Sequence, residues 1–141
     1  IKTNTQMKKV KVYIERSEDG CFYAYAANPM ILPYGLTGEG DSVEQAKTDW
    51  LNVYEATRAR YEEEGKTFTE AEFTFCYDVP SFLRYYAGKL TFAGLSRITG
   101  ISAAQLSQYA NGYRNPSPKT TEKIQNSLHA FGDEVRAITL I

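Results

Sequence analysis

The chain has 141 residues, is 43% hydrophobic and 23% charged, and carries a net charge of −1, enough apolar content for a buried core in one average domain or two small ones. It contains no run of eighteen apolar residues and no charged-then-apolar leader with a small-residue cleavage site, so neither a membrane span nor export is expected and a cytoplasmic setting is. Cys21 and Cys76 have no second cysteine or histidine at ligand spacing, which signals neither a zinc site nor a disulfide framework.

Divided after Pro80, the chain separates by sign. Residues 1–80 carry nine Lys or Arg against fourteen Asp or Glu, a net −5, whereas residues 81–141 carry seven against three, a net +4. A basic region joined to an acidic one suggests a polyanion as the partner of the first and a basic protein as the partner of the second.

Residues 1–9 are polar and irregular and read as a tail, with Met7 as an alternative start. From Val10 the pattern alternates, with Val10, Val12 and Ile14 on one face and Lys11, Tyr13 and Glu15 on the other, the period of a half-buried strand. Glu18-Asp19-Gly20 supplies a turn, and the aromatic alternation of Cys21 to Ala26 completes an antiparallel hairpin. Leu36 to Gly40 is expected to return as a short third strand, at an edge because of the neighbouring prolines and glycines. Ser42 and Gln45 form a capping box that opens a long helix ended by Gly65. Val43, Ala46, Trp50, Val53, Tyr54, Thr57 and Tyr61 recur along one face of it, with Glu55, Arg58 and Glu62 on the outer side. Phe73, Phe75 and Tyr77 alternate as a last strand, stopped by Pro80.

The hairpin, then Asn28-Pro29, then Gly38-Glu39-Gly40-Asp41-Ser42-Val43-Glu44-Gln45-Ala46 at a helix start, resembles the N-terminal domain of HicB-type antitoxins. The resemblance covers roughly residues 10–78 and departs from the family at Pro29 to Leu36, which is longer and bulkier than the usual short link. It implies a partial ribonuclease-H-like fold that binds and neutralises a small basic ribonuclease toxin of the HicA kind. The expected architecture is therefore α+β: a small antiparallel sheet packed by one long helix in the order βββαβ over residues 10–80, followed over residues 81–141 by four to five helices.

In the second region Ser81, Thr91, Ser102 and Ser117 are candidate N-caps, Gly88, Gly100 and Gly112 candidate stops, Pro118 suits a first helical position, and Ser102 with Gln105 repeats the capping box. The segments Thr91–Thr99 and Ser102–Asn111 are separated only by Gly100 and Ile101, so the second helix must turn sharply away from the first. Leu95, Ile98, Ile101, Leu106 and Tyr109 fall where the two helices share a core, which leaves Ala103, Ala104, Gln105, Ser107 and Gln108 facing outward. That face suits the major groove of double-stranded DNA, because Gln pairs bidentately with adenine, Ala meets a thymine methyl and Ser reaches a base or a phosphate. Lys89, Arg97, Arg114 and Lys119 flank it as candidate phosphate contacts, which would position rather than specify.

The run Leu95-Ser96-Arg97-Ile98-Thr99-Gly100-Ile101-Ser102, then Leu106, then Asn111-Gly112-Tyr113-Arg114-Asn115-Pro116-Ser117, is similar to the XRE (Cro/CI-type) helix-turn-helix family over about thirty residues. The similarity implies operator binding and repression. Where many members carry a polar residue, often Gln, near the start of the first motif helix, this chain has Phe92, so that phosphate clamp is lost or replaced. Ile124, Leu128, Phe131, Val135, Ile138 and Leu140 continue an apolar series that needs a covering surface, supplied by the same domain or by a second copy in a homodimer or higher oligomer that presents two recognition helices.

An enzyme reading finds little chemistry, and no catalytic residue, metal site or cofactor is expected. His129 is the sole histidine, and its apolar neighbours make it a partly buried helix residue rather than a base. A metal-dependent nuclease would draw on Glu15, Asp19, Asp41 or Asp49, although turn and capping roles already account for Asp19 and Asp41. Gly35, Gly38 and Gly40 lack the basic helix start of a phosphate loop. The leading expectation is an antitoxin and autorepressor; the alternatives are a stand-alone regulator whose first domain binds a ligand or dimerises, and the nuclease.

Overall fold

The computed structural model describes residues 4–141, with side chains described from Met7 onward, so the first three residues of the expected tail lie outside the described residues. The protein is α+β, with one mixed four-stranded sheet and five helices among the described residues. The chain divides into two compact units, the first ending at Ser81 and the second running from Phe82 to Ile141. Among the described residues no helix is long and apolar enough to cross a membrane.

The first unit contains β1 (Asn4–Arg16), β2 (Phe22–Ala26), β3 (Thr37–Gly40), α1 (Val43–Glu63) and β4 (Thr69–Tyr77). β1 begins before the alternating run at Val10, because its early residues pair with β4 across a register shift between Asn4 and Lys8. The β1–β2 hairpin turns at Asp19-Gly20, where Gly20 takes a φ of 87° and its amide donates to the Ser17 carbonyl at 3.0 Å. The sheet order is β3-β2-β1-β4, which places β3 at an edge.

The expected antiparallel sheet is corrected in one respect: β4 lies parallel to β1, in the register Val10↔Phe73, Val12↔Phe75 and Ile14↔Tyr77. The reason is the connection. β3 runs antiparallel to β2 and hence parallel to β1, and the 21-residue α1 carries the chain back so that β4 starts at the same end. Period-2 alternation is the same in both kinds of ladder, so it cannot announce the direction.

α1 covers one face of this sheet. Val10, Val12, Ile14, Val43, Ala46, Trp50 and Tyr54 are buried, and Trp50 and Tyr54 meet the Phe73 ring edge-on at 5.5 and 4.9 Å. Gly38 and Gly40 let β3 lie against the first turns of α1: a Cβ on Gly38 would stand 2.5 Å from the Ala46 carbonyl oxygen and 2.8 Å from the Trp50 amide nitrogen. The Ser42 hydroxyl caps α1 by accepting from the Gln45 amide at 3.1 Å, but the Gln45 side chain returns to the Asp41 amide at 2.8 Å rather than to Ser42, which corrects the expected reciprocal box. At the far end Arg58 pairs with both Glu55 and Glu70, and the guanidinium holds the Glu70 carboxyl below its ordinary value. The buried Tyr54 hydroxyl donates to Glu70 at 2.9 Å and accepts from the Ala71 amide at 2.9 Å. The bulky Pro29–Leu36 segment buries Leu32, Tyr34 and Leu36, and a depression of about 390 Å³ opens among Tyr25, Asn28, Ile31, Tyr34 and neighbouring loop residues.

After β4 come α2 (Val79–Tyr85), α3 (Phe92–Thr99), α4 (Ala103–Ala110) and α5 (Pro118–Arg136). Ser81 is not an N-cap: α2 begins two residues earlier, and Asp78 accepts from the Ser81 amide at 2.8 Å. Pro80 falls in the first turn, where its missing amide costs no hydrogen bond, so it opens a helix as well as closing a strand. Gly88 lies beyond the end of α2, in a turn in which the amides of Lys89 and Leu90 both donate to the Tyr86 carbonyl.

In the second unit Leu95, Thr99, Ile101, Leu106, Tyr109 and Ile124 are buried, and α3 packs on both α4 and α5. The apolar stripe of α5 fades toward its end: Ile124 is buried and Leu128 and Phe131 half-buried, whereas Val135, Ile138 and Leu140 are exposed. His129 is exposed rather than partly buried, because it projects from the side of α5 opposite that stripe.

Candidate nucleic-acid interface

Two short helices joined through Gly100, Ile101 and Ser102 define the candidate site. Thr91 caps α3 by accepting from the Gly94 amide at 3.0 Å, and Gly100 ends it at a φ of 76°, its own amide donating to the Ser96 carbonyl at 2.8 Å. Most residues avoid that backbone region and glycine does not, so the sharp exit follows from the sequence. The Thr99 hydroxyl, buried beneath the turn, donates to the Leu95 carbonyl at 2.7 Å and accepts from the Ile101 amide at 3.2 Å. Ser102 then caps α4, accepting from the Gln105 amide at 3.1 Å. Leu106, Tyr109 and Ala110 are buried on the inner side of α4, so its outer side is turned to solvent.

The expected base-reading residues do not all stand alike. Ala104 and Gln108 are exposed, and among the described residues the Gln108 side chain has no protein partner. Ala103 is half-exposed beside them. The Gln105 side-chain amide donates to the Tyr109 hydroxyl at 2.5 Å, and the Ser107 hydroxyl accepts from the Asn111 side-chain amide at 3.4 Å, so both are engaged within α4 and its cap. Gln105 therefore does not reach back to the Ser102 amide as a full capping box requires.

All four expected phosphate contacts, Lys89, Arg97, Arg114 and Lys119, are exposed. Lys89 lies over the Tyr86 ring at 6.0 Å. Among the described residues no ion pair engages Arg97, Arg114 or Lys119. Three further residues escaped sequence reasoning. Lys123 on α5 brings its amine to the Gly100 turn, where a Cβ would lie 3.6 Å from Nζ. Tyr113, 84% exposed, stands beside Arg114 in the loop after α4, its amide donating to the Gln108 carbonyl at 3.0 Å. Arg84 on α2 donates from Nε to the Ala110 carbonyl at 3.2 Å and from Nη2 to the Asn111 side-chain oxygen at 2.6 Å. No local pattern marks Lys123 or Arg84, whose neighbours lie far off in the chain, whereas Tyr113 falls inside the motif run without a role assigned to it.

The carboxylates weighed for a nuclease sit in the first unit with separate duties. Glu15 accepts from the Tyr25 hydroxyl at 2.5 Å and thereby pushes that phenol up to about 12. Asp19 closes the hairpin turn through Ser17 and the Cys21 amide, Asp41 lies 3.8 Å from the Cys21 sulfur, and Asp49 accepts from the Glu39 amide at 2.9 Å. Among the described residues no three histidine, cysteine or carboxylate side chains gather as a metal-binding group. No family model, no curated protein and no solved structure matches the chain.

Proposed function

We propose that this protein is a cytoplasmic DNA-binding autorepressor and antitoxin of the HicA/HicB kind. The second unit reads operator DNA as a helix-turn-helix, and the acidic first unit binds a small basic ribonuclease. One observation carries the DNA half: α4 buries Leu106 and Tyr109 beneath it while offering Ala104 and Gln108 outward, in a unit where, among the described residues, no carboxylate pairs with the exposed Arg97, Arg114 or Lys119. A helix so held can enter the major groove, with Gln108 the side chain to pair with adenine and the exposed Arg97, Arg114 and Lys119 to meet phosphates. The order of three strands, helix and strand, together with the net −5 of residues 1–80, supports the partial ribonuclease-H-like reading and a basic protein partner. The exposed end of the α5 stripe supports a homodimer.

The test is copurification from the native operon, followed by a gel shift with the DNA upstream of the gene. Gln108→Ala is expected to lose about 1–3 kcal/mol of discrimination at one base position. Arg114→Ala is expected to weaken all sequences alike and to lower the slope of log affinity against log salt by about 0.9. Binding by neither protein nor variant at low salt would remove the DNA half, and the absence of a basic partner would leave a stand-alone regulator.

A further inference from the structure

α4 has eight residues, too few to be stable alone, so whatever fixes its C-terminal end fixes the side chains it presents. Three groups meet at that end. The Arg84 guanidinium holds the Ala110 carbonyl with one nitrogen and the Asn111 side-chain oxygen with another, at 3.2 and 2.6 Å. The Asn111 side-chain nitrogen in turn donates to the Ser107 hydroxyl at 3.4 Å, on the turn of α4 that also bears Gln108. A cation here faces the negative end of the helix dipole, and the planar fork of arginine suits two acceptors side by side.

We infer that Arg84 is a positioning residue for sequence readout: by clamping Ala110 and Asn111 it sets the orientation of α4 and the direction of the Ser107 hydroxyl, without itself contacting DNA. The inference rests on the DNA-binding reading above. It separates Arg84, which is exposed but holds two protein acceptors, from the exposed cations proposed to act on phosphate. Removal of a phosphate contact weakens every sequence and flattens the salt dependence, whereas removal of a clamp degrades the difference between right and wrong sequences.

The experiment selects a preferred duplex from a random library with the full-length protein, then measures affinity for that duplex and for a scrambled one across a salt series. Arg84→Ala is expected to reduce the ratio of selected to scrambled affinity about tenfold, within the range of losing one base-pair's recognition, while the salt slope stays at the wild-type value. Hydrogen exchange of the Asn111 and Gly112 amides is expected to quicken in the same variant. Should Arg84→Ala fail to fold, two milder variants decide. Asn111→Ala removes the relay to Ser107, and Arg84→Lys keeps the charge without the two-pronged geometry; both are expected to lower the ratio at unchanged slope. An unchanged ratio in Arg84→Lys and Asn111→Ala, or a slope lowered by about 0.9 in Arg84→Ala, overturns the positioning role and leaves the DNA reading intact. A wild-type protein that selects no sequence takes down both.

Discussion

Replacing Leu106 by alanine is expected to cost about 2–5 kcal/mol and to abolish the proposed DNA binding at every salt concentration. Leu106 is fully buried on the inner side of α4, one position from Gln105 and from Ser107. An eight-residue helix spans about 12 Å and cannot sustain itself, so its folding depends on the apolar seat it shares with Leu95 and Ile101. A unit of this size has a stability of only a few kcal/mol, so a cavity beneath α4 consumes most of it. Chemical denaturation followed by far-UV circular dichroism reads the loss. Fluorescence of Trp50, the single tryptophan of the chain, serves as a reference for the first unit. An unaltered helical transition, or a gel shift as strong as wild type, would contradict the account of how α4 is held.

The second large effect is expected at Gly38. A methyl there would meet the Ala46 carbonyl oxygen and the Trp50 amide nitrogen, both main-chain atoms of α1 that cannot rotate away. Gly38→Ala must therefore lift β3 from the helix or bend one of them, at about 1–3 kcal/mol or more. Trp50 is fully buried, so its emission should shift toward that of exposed indole, and the denaturation midpoint of the first unit should fall. Gly35→Ala is the control: nothing lies within 4 Å of its would-be Cβ, and its effect should be small. Equal midpoints for the two variants would mean that the close approach of β3 to α1 does not constrain this unit.

This contact also shows what the residues of the Gly-x-Gly-Asp-Ser stretch do. From their types alone Asp41 and Ser42 suit capping, whereas nothing local says what Gly38 and Gly40 are for. In the fold the glycines are spacers that bring a sheet edge against the start of a helix, and Ser42 is the cap. Local chemistry was legible from the residues alone. Asp19-Gly20 makes its turn, Thr91, Ser102 and Ser117 cap their helices, Gly100 turns α3 into α4, and Leu95, Leu106 and Tyr109 form the shared core. What escaped depends on residues far apart in the chain or on which of two partners a side chain chooses. The direction of β4 is set by the crossover, Asp78 rather than Ser81 caps α2 because β4 hands directly into a helix, and Gln105 prefers the Tyr109 hydroxyl to the Ser102 amide. Arg84 was invisible for the same reason, since 26 positions separate it from Ala110.

The central place of β1 has a consequence for how the protein is made. Its hairpin partner emerges from the ribosome almost at once, whereas the strand on its other flank is synthesised only after α1, so that Val10 waits for Phe73. Until then a nascent chain exposes one bare flank of a long strand whose inward face is apolar, and Lys8, Lys9 and Lys11 on that strand are the kind of charge that discourages pairing with a neighbour. A chain that stops between α1 and β4 leaves that flank of β1 without its parallel partner.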